Sequence, residues 1–229
     1  NESVENDSKP VNKTEKFMFD GERLIQHIIK QRYFEEEISN EVNLSYSDNQ
    51  VTVTTDYPTL VYTLNSEGYA SQCVYSLSSQ NRIYQFSYSA EGYLTGIVEN
   101  IDNREYSSTS LTYENGDITS ISSKMNGLEN KFIYEPGEES STYHLPCLGL
   151  LEIHPLTFHI EALYAGLLGK DPRHFTIRSC PAGSNDEKTI YSYEFDKKGN
   201  PSRMICQTTY AGGQASYYPY TRNISVSFE

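Results

Sequence analysis

The sequence predicts an all-β protein in which about twelve strands form one antiparallel meander, curled into a barrel or half-barrel. Three observations lead to this prediction. Tyrosine accounts for 20 of the 229 residues, whereas tryptophan is absent and the hydrophobic fraction is only 37%. Apolar and polar residues alternate through most of the chain, which is typical of strands with one buried face. Short polar turns that end in glycine divide these alternating runs into hairpins.

The hairpin repeat is clearest around Gly68, Gly92 and Gly116, which follow one another at intervals of 24 residues. Two alternating aromatic or apolar residues precede each turn, as in Phe86-Ser-Tyr88, and the same pattern surrounds Gly199. Glycine supplies the positive φ that tight hairpin turns require. Each unit of about 24 residues is therefore predicted to be one hairpin with its connection, and six units, two of them weaker, give the twelve strands.

One segment departs from the alternation. Between residues 157 and 168, apolar side chains such as Ile160, Leu163 and Leu167 recur at helical spacing, and Gly169 follows as an end signal. The sequence predicts one helix there, packed on or in the sheet, and the many bulky tyrosines favour a cap or plug over an open channel. Residues 23–37 would also suit an amphipathic helix, but a strand is predicted because the preceding residues fit the hairpin repeat.

The ends of the chain differ in composition. Residues 1–16 contain only Val4 and Val11 as apolar residues besides proline, which predicts a flexible N-terminal tether. Residues 17–229 are predicted to form a single β-meander domain. No run of 18 apolar residues is present, so the sequence predicts no membrane-spanning helix.

The net charge of −13 excludes two classes of partner. Nucleic-acid binding is not expected, because neutralising phosphates requires clustered lysine and arginine. Adsorption to an anionic membrane surface is disfavoured for the same reason. The acidic residues are scattered, which is typical of a solvated surface.

The cysteines and histidines do not form a recognisable metal or redox motif. The four cysteines, Cys73, Cys147, Cys180 and Cys206, lack CxxC spacing. Strand parity predicts that Cys73 and Cys206 point inward and do not form a disulfide, whereas the state of Cys147 and Cys180 stays open. His144-Leu-Pro-Cys147 has the spacing of two ligands, and His154 is near in sequence, but structural zinc requires four. No metal or cofactor is predicted.

No catalytic residue is predicted. His154 and His159 are five residues apart, so they would lie on different helix faces and do not form the pair of a zinc protease. No nucleophile elbow, phosphate-binding loop or dinucleotide fingerprint is present. Carboxylates are plentiful, so a glycosidase-like acid pair stays open as a question of geometry.

Most of the tyrosines are predicted to belong to the core. Six lie at alternating strand positions and are expected to pack and pair across strands: Tyr46, Tyr62, Tyr88, Tyr113, Tyr134 and Tyr193. Others are placed where aromatic rings are available to stack on a sugar or a partner protein. Tyr69 and Tyr93 directly follow turn glycines, and Tyr217-Tyr218-Pro219-Tyr220 lies in a loop-like stretch. The ligand-binding residues themselves are not assigned by the sequence.

Two motifs and their order carry a family resemblance. The motifs are Leu111–Ile118 and Tyr191–Gly199, and their order is that of hairpins preceding Leu167–Lys170. In these features the chain resembles a family of Bacteroidetes cell-envelope lipoproteins of unknown function, described as having a porin-like fold. The resemblance covers nearly everything after residue 16. It implies secretion and an N-terminal lipid anchor as the only contact with a membrane, in the periplasm or on the outer surface. It implies no catalytic residues.

Three hypotheses about function follow. The first is a monomeric, non-catalytic envelope module that binds a glycan or protein at the cell surface or has a structural role. The second is a barrel that carries a lipid or another apolar ligand inside, as lipocalins do. The third is a hydrolase. A filled interior, a hollow apolar interior and a cleft with paired acids would distinguish them.

Overall fold

The computed structural model describes residues 2–5, 11–33, 36–55, 59–77, 80–140, 150–151, 153–184, 186–209 and 220–225. In these ranges sixteen antiparallel strands form one sheet, and each pairs with its neighbours in sequence. The first strand also pairs with the last, which closes the sheet into a barrel. The all-β antiparallel meander is thus confirmed, with sixteen strands instead of about twelve.

The strands have the following bounds. The first eight are β1 Glu2–Glu5, β2 Val11–Asp20, β3 Arg23–Tyr33, β4 Glu36–Ser47, β5 Gln50–Thr54, β6 Thr59–Leu64, β7 Ala70–Leu77 and β8 Gln80–Tyr88. The second eight are β9 Leu94–Ile101, β10 Arg104–Glu114, β11 Asp117–Met125, β12 Leu128–Ser140, β13 His174–Pro181, β14 Lys188–Phe195, β15 Pro201–Thr209 and β16 Tyr220–Ser225. A 3-10 helix, Leu156–Phe158, and the short helix α1, Ile160–Tyr164, lie between β12 and β13.

The N-terminal residues differ from the prediction of a flexible tether over residues 1–16. Strand β1 pairs with β2 in the register Glu2↔Lys13, and β2 continues in register along β3. The backbone makes these pairs, so a polar segment with few apolar side chains still extends a sheet. Residues 23–33 form β3, which confirms the choice of a strand over a helix there.

The turn glycines have the predicted conformation. Gly68, Gly92, Gly116 and Gly199 have φ between 84° and 91°. Asn115, beside Gly116, also has a positive φ of 54°, so both central residues of that turn are left-handed, as two-residue hairpins require. The predicted positions of these four turns are confirmed.

The hydrophobic core lies inside the barrel. In β10 the inward residues Ser107, Thr109 and Leu111 are buried, while Ser110, between the last two, and Thr112, after Leu111, are exposed. Most other buried apolar side chains of the strands belong to the same continuous cluster. None of the helices in the described part of the chain is long and apolar enough to span a membrane.

Residues 153–173, between β12 and β13, lie inside the barrel. We call residues 153–173 the plug, because they contact inward-facing residues of β3, β6, β9, β10 and β11. The helix predicted over residues 157–168 is wrong in length, since α1 contains only five residues. His159, with φ of −121°, separates it from the 3-10 helix, and Gly166, with φ of 69°, follows it. The expectation that this segment plugs the barrel is supported.

Candidate functional site

A fully buried carboxylate joins the plug to the barrel wall. The side chain of Glu99, on β9, is 0% exposed. Its Oε1 accepts hydrogen bonds from Arg82 at 3.1 Å and Tyr84 at 3.3 Å, and its Oε2 contacts Ser107 at 2.8 Å and His154 Nε2 at 2.6 Å. These five residues form what we call the Glu99 cluster. Each carboxylate oxygen thus has two partners.

The electrostatics of the Glu99 cluster keep this carboxylate ionised. Burial favours the neutral acid, but the hydrogen bonds from His154 and Ser107 outweigh it, so the pKa of Glu99 lies below its usual value. The side-chain hydroxyls of Thr109 and Ser123 hold the backbone of His154 in place, because they donate hydrogen bonds to its carbonyl oxygen at 3.1 Å and 3.2 Å. The cluster therefore fixes one end of the plug.

Aromatic rings surround the Glu99 cluster on its accessible side. The Arg82 guanidinium lies 5.9 Å from the centre of the Tyr106 ring. The His154 ring packs edge-on against Phe158, with centroids 5.6 Å apart. Phe158 is 43% exposed, and the side chains of Arg82 and His154 are 23% and 26% exposed, so the cluster reaches the surface at this end of the barrel.

His159 forms a second contact between plug and wall and is completely enclosed. A 2.7 Å hydrogen bond joins its Nδ1 to the hydroxyl of Tyr62. Burial lowers the pKa of His159 to about 3 and raises the pKa of Tyr62 well above its usual value, so both are neutral. The pKa of Cys73, whose thiol contacts Tyr62, is raised by burial to about 12. None of the three is suited to exchange protons with a bound substrate.

A third contact pairs His27 of β3 with two carboxylates. Its Nδ1 lies 2.7 Å from Glu161 of α1, and its Nε2 lies 3.4 Å from Glu15 of β2. Burial opposes the charged imidazolium, but the interactions with Glu15 and Glu161 outweigh it and raise the pKa of His27. Burial also opposes ionisation of Glu15, yet its bonds to His27 and Lys13 lower its pKa to about 2. The Phe17 ring stacks on His27 at 4.1 Å.

The opposite end of the barrel carries a repeated arrangement of tyrosine, glycine and cation. A Cβ at Gly92 would lie 3.2 Å from Cε2 of Tyr69, the tyrosine of the preceding hairpin, and 3.5 Å from Cε of Lys170. A Cβ at Gly116 would lie 2.7 Å from the hydroxyl of Tyr93 and 2.9 Å from Nε of Arg173. We call Tyr69, Tyr93, Lys170 and Arg173 the tyrosine rim. Both tyrosines are half-buried and both cations are exposed.

Backbone hydrogen bonds fasten the end of the plug along this rim. The amide of Ala70 donates to the carbonyl of Leu167 at 2.7 Å. The amides of Lys170 and Arg173 donate to the carbonyls of Gly92 at 2.9 Å and Gly116 at 3.1 Å. Glycine is required at these two turns, because any side chain would displace the tyrosine or cation that packs there.

Two cavities differ in size and in position. A cavity of about 20 Å³ lies inside the barrel, lined by Leu94, Leu111, Tyr113, Leu150, Leu156, Leu163, Leu168, Gly169, Lys170, Asp171 and Pro172. A larger groove, of about 320 Å³, is lined by Val74, Asn81, Ile83, Asp102 and Asn103. Within the described residues, no group of three or more histidine, cysteine or acidic side chains could hold a metal ion.

The structure describes some, but not all, of the residues that the sequence singled out. His154 bonds to Glu99, and His159 bonds to Tyr62. His144 and Cys147 lie outside the described residues, as do Tyr217-Tyr218-Pro219, and the side chain of Tyr220 is not described. The six tyrosines at alternating positions pack in or against the core, as predicted.

The predicted cysteine arrangement agrees with the structure. Cys73 and Cys206 are buried and do not form a disulfide with each other. Cys206 packs with Met204 and Tyr191, as strand parity indicated. Cys180 is half-buried and also forms no disulfide.

Sequence reasoning missed the charged residues of the interior. Glu99 and Arg82 lie on inward positions of the alternation, two residues from Ile97 and Tyr84. A charged residue at a core position is rare unless it has a partner, so this signal was present in the sequence. Its partner His154 could not be predicted, because the plug lies 55 residues further along the chain.

Comparisons with known proteins agree with this geometry. Among the solved structures that match is that of a porin-like protein from Bacteroides uniformis ATCC 8492, with 26% sequence identity and a TM-score of 0.89. The match covers 100% of this chain and 94% of that chain. No curated protein matches significantly. Residues 17–203 match a domain of unknown function (DUF4595) with porin-like fold, so the chain belongs to that family.

Proposed function

We propose that this member of the porin-like family is a non-catalytic binding module of the cell envelope, which holds a glycan on its tyrosine rim. The observation that carries the proposal is the repetition of one arrangement, a half-buried tyrosine beside an exposed cation, on successive turns. Aromatic rings offer an apolar face to the C–H groups of a sugar, and charged side chains hydrogen-bond its hydroxyls. Both kinds of group lie together here.

The rigidity of the rim supports a binding role. The plug is fixed at one end by the Glu99 cluster and at the other by backbone bonds to two turns. Tyr69 packs against Tyr88, and Tyr93 against Tyr113, with ring centroids 5.3 Å and 4.9 Å apart. A ring that is already held in place loses little side-chain entropy when a ligand binds.

The chemistry of the interior favours binding over catalysis. A glycosidase requires a carboxylic acid with a raised pKa, which donates a proton to the leaving group. Glu99, the most buried carboxylate in the described part of the chain, has a lowered pKa, and four partners occupy its oxygens. The neutral His159 is enclosed on all sides.

A lipid carrier is a weaker hypothesis for the function of this barrel. A cavity of about 20 Å³ has room for about one water molecule, whereas a drug-sized ligand needs several hundred cubic ångströms. A lipid that occupied this cavity would have to displace the plug and its contacts with the wall. The glycan proposal requires no such rearrangement.

Affinity electrophoresis tests the proposal. The protein is run through native gels that contain hydroxyethyl cellulose, xylan, β-1,4-mannan, pullulan or dextran. We expect at least one polysaccharide to retard the parent protein. We expect the double variant Tyr69→Ala/Tyr93→Ala to lose the retardation, and Tyr69→Phe/Tyr93→Phe, which keeps both rings, to retain most of it.

Phe158→Ala is the matched control, since it removes an exposed aromatic ring at the other end of the barrel. It should migrate like the parent. If no polysaccharide retards the protein, or if Phe158→Ala rather than the double variant loses retardation, the proposal is wrong. A protein ligand would then be the better hypothesis. Cell fractionation with an antibody checks the envelope location, which a purely cytoplasmic signal would contradict.

A further inference from the structure

The two tyrosines of the rim repeat with a fixed step. Tyr69 and Tyr93 directly follow the turn glycines of successive hairpins, between β6 and β7 and between β8 and β9. Successive hairpins are two strands apart, which corresponds to about 9.5 Å at the usual strand spacing. The step is set by the hydrogen-bonding geometry of the sheet and not by side chains.

The end of the plug follows the same edge of the barrel across two successive turns. Lys170 and Arg173 are three residues apart, and their amides bond to Gly92 and Gly116, equivalent positions in successive turns. Three residues span at most about 10 Å when fully extended, which is close to two strand spacings. The segment therefore crosses the turns in register, and it places one cation beside each turn.

We infer that the rim binds a linear, neutral polysaccharide along its length, so that Tyr69 and Tyr93 contact sugars two residues apart. This inference rests on the proposed glycan binding. In an unbranched β-1,4-linked chain, alternate sugars are flipped, so every second sugar presents the same face at an interval close to the step of the rim. An α-1,6-linked chain such as dextran has no such straight repeat.

Charge selects a neutral chain. The protein carries a net charge of −13, which repels a polyanion. On the rim itself the exposed Glu91 lies near Lys170, so the cation does not stand alone. A mixture of acidic and basic groups suits the hydroxyls of a neutral sugar, which donate and accept hydrogen bonds.

Isothermal titration calorimetry with cello-, xylo- and manno-oligosaccharides of two, four and six sugars tests this inference. A tetrasaccharide reaches both tyrosines, but a disaccharide reaches only one. We expect the tetrasaccharide of the preferred series to bind at least tenfold more tightly than the disaccharide. Tyr93→Ala should reduce this advantage to within about twofold while it leaves disaccharide affinity nearly unchanged, since Tyr69 remains. Tyr106→Ala, a tyrosine at the other end of the barrel, should behave like the parent.

The outcomes separate the inference from the proposed function. If retardation in gels depends on the rim tyrosines, but disaccharide and tetrasaccharide bind equally, the glycan site stands. The inference that Tyr69 and Tyr93 contact sugars two residues apart is then wrong. Equal binding of pullulan or dextran in a tyrosine-dependent manner would also overturn it. If no glycan binds at all, both the proposed function and this inference fail. Circular dichroism of each variant confirms that the barrel is intact.

Discussion

Replacing the buried carboxylate of Glu99 by an amide tests how the plug is held. In Glu99→Gln the side chain keeps its shape, but one oxygen becomes an NH₂ group, which donates hydrogen bonds and accepts none. Both oxygens of the parent carboxylate have two partners. An amide NH₂ turned towards Ser107 and His154 still finds acceptors there, but Arg82 loses its counter-charge.

The expected cost follows from the burial of this pair. Removing one partner of a buried ion pair costs about 3–5 kcal/mol, because the remaining charge is uncompensated. For a domain of this size each kcal/mol lowers Tm by about 2–4 °C. We therefore expect Glu99→Gln to unfold about 6–20 °C below the parent in a thermal melt followed by circular dichroism.

An exposed pair of nearly the same geometry provides the control. Glu194 accepts a hydrogen bond from Arg203 at 3.0 Å, against 3.1 Å for Glu99 and Arg82, but the Glu194 side chain is 58% exposed. Solvent screens such a pair, so Glu194→Gln should change stability by less than about 0.5 kcal/mol.

A milder variant keeps the test informative if Glu99→Gln does not fold. Ser107→Ala removes a single donor to Glu99 Oε2 and should cost about 1–3 kcal/mol. The reasoning is refuted if Glu99→Gln and Glu194→Gln melt at the same temperature. The buried carboxylate would then contribute no more than a surface charge.

Three further predictions concern other parts of the barrel. The raised pKa of His27 stabilises the fold below pH 6.5, and this stability is lost as pH rises through the folded-state pKa. The urea midpoint should therefore fall as the pH is raised, and His27→Gln should weaken that dependence. Gly116→Ala should destabilise more than Gly127→Ala in urea melts, since both glycines have positive φ but only Gly116 is crowded; equal losses would contradict the close packing of the rim. Leu167→Ala should cost about 2–5 kcal/mol, because the side chain is 5% exposed, and a melting temperature within a degree of the parent would mean that the plug is a surface appendage.

Period-two patterns and turn chemistry were sufficient to predict the barrel wall. The alternation predicts which side chains point inward, and the positions of Gly68, Gly92 and Gly116 predict the turns, because only glycine adopts their φ without strain. These are local properties, so they can be recognised within a short stretch of sequence. The polar first strand was missed for the complementary reason: backbone pairing with β2 and β16 forms it, and composition does not record backbone pairing.

The plug shows the limit of local reasoning. Its apolar spacing predicted one helix over residues 157–168, but tertiary contacts shortened it to five residues, since the His159 ring is held by Tyr62 of a distant strand. A marginal helix of this length gains more from such contacts than from its own hydrogen bonds.

The sequence by itself determined the fold class, the turns, the inward faces of the strands and the acidic net charge of the chain. Only the tertiary structure decided which of these residues meet. It brought His154 to Glu99 across 55 residues and Glu161 to His27 across 134 residues. It also placed Tyr69 and Tyr93 one hairpin apart along a single edge, with cations from the plug beside them. The physical reason is that charge pairing and surface spacing depend on distances in space, which only closure of the sheet around the plug defines.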